Sequence, residues 1–201
     1  MGLIKRIFAA AVIGVMISPA SAETAKPDIA RLITPSLVED MRQSIETDIV
    51  RISIQAQNER LKKLAQDQID ALDTQWRKER EGDDKPLIAA TLSNPLSVYL
   101  VRLQGKSLGL YAEIFVMDQN GLNVGQSSIT GDFWQGDEAK FQKTYDVSGD
   151  ALFVDEPEWD EDNKIWRGQV SFTITEADKS IGAVTMEVNL TELERRAAAG
   201  A

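Results

Sequence analysis

The stretch that decides the fold is "YAEIFVMDQNGLNVGQSS", residues 111–128. An apolar strand, 112–118, enters the polar turn Gln119-Asn120-Gly121, and a more polar strand, 122–127, leaves it. Two strand-like runs around Asn-Gly read as a β-hairpin, because Asn and Gly tolerate the left-handed backbone of a tight turn. The first strand is apolar on both sides of its pleat, which predicts a central strand covered on both faces. Asp118, Asn120 and Gly121 are read as turn chemistry, so the hairpin is scaffold.

Working outward, the segment "ITGDFWQGDEAKFQKTY", 129–145, reads as a loop and a short helix. A third strand follows at 151–156, then an acidic turn, "EWDEDNK", at 158–164. The fourth strand, 165–174, alternates cleanly, with Trp166, Val170, Phe172 and Ile174 on one face and Arg167, Gln169, Ser171 and Thr173 on the other. The fifth, 181–190, points Val184, Met186 and Val188 at the core. Residues 192–201 are expected to form a flexible tail.

On the N-terminal side, "REGDDKPL", 80–87, interrupts the periodicity, and Asn94-Pro95 caps a short helix that Gly105 ends. Before the interruption, Leu37, Met41, Ile45, Ile49, Ile52, Ala56, Leu61, Leu64, Leu72 and Trp76 recur at helical spacing. Ser36 to Glu39 fits a capping box, with Pro35 suited to a first turn. Val50, Ile52 and Ile54 also alternate like a strand, which leaves a kink or break there open. Forty residues at about 1.5 Å each make a helix of roughly 60 Å. That exceeds what a domain of about a hundred residues covers, so part of the stripe is expected to meet a second chain, most simply in a homodimer. The fold class is therefore α+β: a long N-terminal helix, 23–85, packed on a five-stranded antiparallel sheet, 86–191.

Residues 1–22 read as a secretory signal peptide. Lys5 and Arg6 precede a short apolar run, 7–17, and Ala20-Ser21-Ala22 offers a small-residue cleavage site. The expectation is a periplasmic protein with no membrane insertion after cleavage. The 201-residue chain carries a net charge of −10. Removing Lys5 and Arg6 leaves 20 Lys and Arg against 32 Asp and Glu, or −12. That sign disfavours nucleic acid and anionic lipid. The chain has no cysteine and no histidine. Disulfides, thiolate chemistry and the commonest general base are therefore excluded. The run Asp155, Glu156, Glu158, Asp160, Glu161, Asp162 lacks the glycine and spacing of an EF-hand loop, so no metal site or other cofactor is expected. Nothing fixes two carboxylates across a cleft for acid–base catalysis, so no enzyme is expected either.

The order "IFVMDQNGLNVGQSS", "DFWQGDEAKFQKTY", "ALFVDEPEWDEDNKIWRGQVSFTI", "SIGAVTMEVNL" resembles the Cache (PDC, PAS-like extracellular) sensor domains of bacterial receptors. The resemblance covers residues 94–190 and takes in the long helix too. It implies a single PAS-like sheet that binds a small ligand under the 131–145 segment, acts in signal transduction and reports to a membrane receptor or kinase. It also implies a stand-alone soluble member, since receptors of the family continue into a transmembrane helix. Amino-acid-binding members carry an Arg shortly before a Trp-Tyr pair. Here Asp132-Phe133 precede Trp134, and Gln135 follows it. Amines and carboxylates thus stay open beside amino acids. The candidate ligand residues are Trp134, Gln135, Tyr145, Asp155 and Arg167. Trp134 either walls the ligand or caps the core; Tyr145 offers a hydroxyl; Asp155, interrupting an apolar strand, either receives an ammonium group or sits at an exposed strand end; Arg167 pairs with an anion or lies on an exposed sheet face. The alternative function is a non-catalytic interaction protein that keeps the fold and dimerises through its long helix.

Overall fold

The computed structural model describes residues 25–147, 149 and 151–200. The signal peptide expected at 1–22 lies outside the described residues. Four helices come first, α1 (Ile29–Leu32), α2 (Pro35–Ile45), α3 (Asp48–Leu61) and α4 (Gln66–Glu81), followed by α5 (Pro86–Leu92) and α6 (Pro95–Lys106). Then come β1 (Tyr111–Met117), β2 (Asn123–Gln126), α7 (Ala139–Gln142), β3 (Leu152–Val154), β4 (Glu158–Asp160), β5 (Ile165–Glu176), β6 (Lys179–Asn189) and α8 (Leu190–Ala199). The fold is α+β, with one antiparallel sheet in the order β2-β1-β6-β5-β3 and β4 also paired to β5.

The hairpin forms where the sequence places it, and β1 is central, between β2 and β6. Gly121 takes the left-handed conformation at φ +77°, while Asn120 does not. The residues of β1 divide between two cores. Ile114 and Val116 face Met41, Ile45, Val50, Ile54, Leu96 and Leu100 of the helical layer, with Val184, Met186 and Val188 beside them. Phe115 and Met117 face the other way, onto Phe141, Ala183 and Tyr145. The covers are α2, α3 and α6 on one face and the segment between β2 and β3 on the other.

Six strands stand where five are expected. The extra one, β4, arises from the acidic stretch at 158–164. β3 pairs with Val170 to Phe172 of β5 and β4 with Ile165 to Arg167. The Asp155 N–H donates to the Gln169 carbonyl at 2.9 Å. Glu156 and Pro157 therefore stand opposite the single residue Gly168, a bulge in what is otherwise one edge strand. Pro is tolerated there because a bulge needs no ladder hydrogen bond from it. β5 and β6 are joined by Ala177-Asp178, both left-handed (φ 46° and 63°), the twist that two-residue hairpins favour.

The single N-terminal helix that the periodicity predicts is instead α1 to α4. Thr34, not Ser36, caps α2, accepting from the Leu37 N–H at 3.2 Å. The breaks fall at 33–34, 46–47 and 62–65, while α3 runs unbroken through Val50, Ile52 and Ile54; the last break has a tertiary cause. Lys62 turns left-handed (φ 56°), and the Asn120 side chain of the hairpin turn bonds the chain there. It donates to the Lys62 carbonyl at 2.9 Å and accepts from the Leu64 N–H at 3.1 Å. α4 then pairs with α5, where Glu79 accepts from the Ile88 N–H at 3.0 Å. A second small core forms from Ile69, Trp76, Ile88, Leu122 and Phe133. Much of the stripe expected to meet another chain is thus used internally, though Ile52 stays 61% exposed. The tail expected to be flexible from 192 is helix α8. Asn189 caps it, and Arg196 donates to the Ser107 carbonyl at 2.8 Å.

Gly182 stands where β6 meets the backbone of β1 under α3. A Cβ there would lie 2.2 Å from the Met117 carbonyl oxygen and 3.1 Å from Ile54. Backbone cannot yield as a side-chain tip can. Gly182→Ala is expected to cost about 1–3 kcal/mol. At about 2–4 °C per kcal/mol for a chain of this size, thermal unfolding falls by several degrees. An unchanged midpoint would contradict this packing.

Candidate functional site

The sheet's second face is built in rows of partners across the strands. One row runs Gln126, Phe115, Thr185, Ser171, Phe153. The Ser171 and Thr185 hydroxyls satisfy each other at 2.9 Å. Lys140 and Lys143, from in and beside α7, lie over the Phe115 and Phe153 rings at 5.3 and 4.3 Å. The next row toward the open end is Glu113, Glu187, Gln169, with Asp155 bonded to Gln169 through the backbone. Here the bulged edge strand and the sheet enclose a cleft of about 310 Å³. Asp155, Glu156, Glu158, Trp159, Asp160, Arg167, Gln169 and Glu187 line it.

Arg167 organises the floor. Its Nη1 donates to Glu187 at 2.9 Å, and its Nη2 pairs with Asp160. Gln169 Nε2 donates to the other Glu187 oxygen at 2.9 Å. Arg167 Nε and Gln169 Oε1 are buried without a hydrogen-bond partner among the described residues. Both atoms lie beneath the floor, and a buried polar group left unmatched is costly. The lining holds five carboxylates against one guanidinium, a net formal charge of −4. Burial pushes the Asp160 carboxyl up, but hydrogen bonds from the Asn163 side chain and backbone, together with Arg167, outweigh it and hold it down at about 2. Asp160 is thus a fixed negative charge at any ordinary pH.

Of the five candidate residues, the structure brings two into this cleft, Asp155 and Arg167. Asp155 lies beside the bulge, where its Oδ1 accepts from the Glu156 N–H at 2.8 Å. The other three do not line it. The Trp134 indole N–H donates to the Asn120 carbonyl at 2.9 Å. The backbone N–H groups of Phe133 and Trp134 both reach Asp73 Oδ1, at 2.9 and 3.1 Å. Trp134 thereby belongs to the clamp that ties the covering segment to α4. Gln135 is buried, donating to the Asp132 carbonyl at 2.9 Å and accepting from Lys140 at 3.1 Å. Tyr145 stacks on Phe141 at 4.9 Å in the small core under α7. The physical reason is that Phe141 of α7 and Tyr145 pack directly onto Phe115 and Met117, while Trp134 packs with the α4–α5 core.

Sequence reasoning missed Gln169 and Glu187. The signal was present: placing Val184, Met186 and Val188 in the core leaves Glu187 on the face already assigned to Arg167 and Gln169.

Glu113 continues the polar row beyond the cleft. It accepts from the Ser128 hydroxyl and stands directly opposite Glu187. Burial raises its carboxyl above the ordinary value of 4.5; Glu187 adds to this, while Ser128, Arg167 and Lys140 oppose it. A raised acid favours the fold in its neutral form. Its contribution is full below the unfolded carboxyl's titration and is lost as pH rises through the folded value. Glu113→Gln is therefore expected to raise the unfolding midpoint at pH 7 and to match the wild type near pH 4. Equal shifts at both pH values would contradict this.

No known family's sequence profile matches the chain. No curated protein matches it in sequence. Among solved structures, the chain is similar to the sensory domain of the Campylobacter jejuni chemoreceptor Tlp3, at 14% identity and a TM-score of 0.41, over 80% of this chain and 65% of that one. It is similar also to the ligand-binding domain of the Pseudomonas aeruginosa PAO1 amino-acid chemoreceptor PctC in complex with GABA, at 13% identity and 0.37, over 80% and 62%. A third is the ligand-binding domain of the Pseudomonas fluorescens chemoreceptor CtaA in complex with L-alanine, at 11% and 0.34, over 80% and 61%. The chain thus spans less than two thirds of each of these structures.

Proposed function

We propose that this chain is an exported, periplasmic sensor domain of the Cache type that binds a small organic amine and reports it to a membrane receptor or kinase. The observation that carries the reading is the cleft beside the edge bulge: a polar floor of Arg167, Gln169 and Glu187 inside a lining of net charge −4. The order of elements, a helical layer, a hairpin, a covering segment and three further strands, accords with the Cache resemblance. Asp155 is the ammonium acceptor. Its place beside the bulge lets it point into the cleft from a rigid edge, and a carboxylate that meets an ammonium makes a charge-assisted bond. The absence of histidine and cysteine leaves a non-catalytic role as the simpler one.

The test is a thermal-shift screen of the chain lacking residues 1–22 against primary amines, amino acids and carboxylates, since a ligand of the folded state raises its midpoint. Amines are expected to score and carboxylates not. Calorimetry with the strongest amine then compares variants. Asp155→Asn removes a charge-assisted bond worth about 1.5–3 kcal/mol. That weakens binding about ten- to a hundred-and-fifty-fold. Trp134→Ala lowers stability and leaves affinity within a few-fold. Unchanged affinity in Asp155→Asn would place the site elsewhere.

The helical layer supports a homodimer. Ile52 on α3 is 61% exposed, and Val98 and Val101 on α6 are 41% and 48% exposed. Light scattering at micromolar concentration is expected to give a dimer mass that Ile52→Glu reduces to a monomer. A monomeric wild type would remove this part of the reading.

A further inference from the structure

We infer that Glu187 and Asp160 set the specificity of the cleft, by occupying both terminal nitrogens of Arg167 and so withholding the guanidinium from a ligand carboxylate. The inference rests on the amine-binding reading above and concerns why the same cleft refuses amino acids. Recognition of a carboxylate by arginine uses two parallel N–H groups as a fork. Arg167 has one edge on Glu187 at 2.9 Å and its other terminal nitrogen on Asp160. Each terminal nitrogen keeps a second N–H, but its charge is already met by a carboxylate, and Nε is buried. An incoming carboxylate therefore finds no unpaired positive charge to bind. Both blocking carboxylates are themselves fixed. Glu187 is 8% exposed and takes a second bond from Gln169 at 2.9 Å. Asp160 accepts from the Asp162 and Asn163 N–H groups at 3.0 Å each and from the Asn163 side chain at 2.8 Å. Neither can swing away when a ligand arrives without leaving those donors unmet. A zwitterion would bring its carboxylate to a guanidinium already neutralised, within a lining that stays negative.

The consequence is that specificity can be inverted without touching Arg167. Glu187→Gln is nearly isosteric, removes one negative charge and loosens the Nη1 edge. Asp160→Asn keeps its oxygen for the turn N–H groups and loosens the other nitrogen. The probes are 1-aminobutane and 4-aminobutanoate, which share a chain and differ by a terminal carboxylate. Calorimetry is run on the chain lacking residues 1–22 and on both variants, each with its thermal midpoint recorded. The wild type is expected to bind 1-aminobutane and not 4-aminobutanoate. In Glu187→Gln, affinity for 4-aminobutanoate is expected to rise by about tenfold or more, the order for one gained bond to a charged group. Affinity for 1-aminobutane falls. Asp160→Asn must move the ratio in the same direction and stands in if Glu187→Gln does not fold. A wild type that binds 1-aminobutane, with an unaltered ratio in the folded variants, overturns the specificity assignment and leaves the amine reading standing. A wild type that binds neither probe overturns both. A wild type that binds 4-aminobutanoate as well as the amine overturns the assignment directly.

Discussion

The sheet's second face is longer than the segment that covers it, and the rest of the structure is arranged around that mismatch. Any sheet with apolar residues on both faces must have both closed. Here the helical layer closes one face along its length, through Met41, Ile45, Val50, Ile54, Leu96 and Leu100. The other is closed by a short segment whose apolar side chains there, among the described residues, are Phe141 and Tyr145, packed on Phe115, Met117 and Ala183. Beyond the row where Lys140 and Lys143 lie over Phe115 and Phe153, the face turns polar. The next row presents Glu113, Glu187 and Gln169. Apolar residues stop where the cover stops, and the cleft is what remains.

The position of the cover follows from polar clamps, not from its own helix. α7 is four residues long and cannot hold itself in place. Asp73 on α4 grips the Phe133 and Trp134 amides, Trp76 stacks on Phe133 at 5.1 Å, and Trp134 bonds the hairpin turn. The same turn, through Asn120, breaks the N-terminal helices at 62–64 and so lets α4 fold back to provide Asp73. Buried Asp118 ties the turn to α3, accepting from Gln57 at 3.1 Å and from the Asn120 and Leu122 N–H groups at 2.7 and 3.1 Å. The hairpin is scaffold in this strong sense: it sets where the helices break and where the cover begins.

These dependencies explain what could be read from the sequence. The alternation of β5 and the apolar runs of β1 and β6 are period-two patterns, and a period fixes which face a residue takes. Hence Arg167 and Gln169 were assignable to one face and Phe172 to the other. The breaks in the N-terminal helices were not legible, because nothing in "KKLA" at 62–65 stops a helix; Asn120, far along the chain, does so by bonding the backbone there. Likewise α5 and the role of Asp73 depend on a contact between α4 and residues 133–134. Trp134 looked like a ligand wall because an aromatic in a covering segment is ambiguous until its hydrogen bond is known. Asp155 lines the cleft because it is a carboxylate interrupting an apolar strand, next to the bulge at Glu156 and Pro157.

The central claim is that the ligand site lies in the cleft at the open end of the second face and not beneath α7. Amide chemical-shift mapping on the labelled chain lacking residues 1–22, titrated with the strongest amine from the screen, tests it most directly. The account predicts that the largest shifts fall at 155–160, 167–169 and 187, with 133–145 little changed. Shifts concentrated at Trp134, Gln135 and Tyr145 would contradict it, because they would mean that the covering segment opens to admit the ligand.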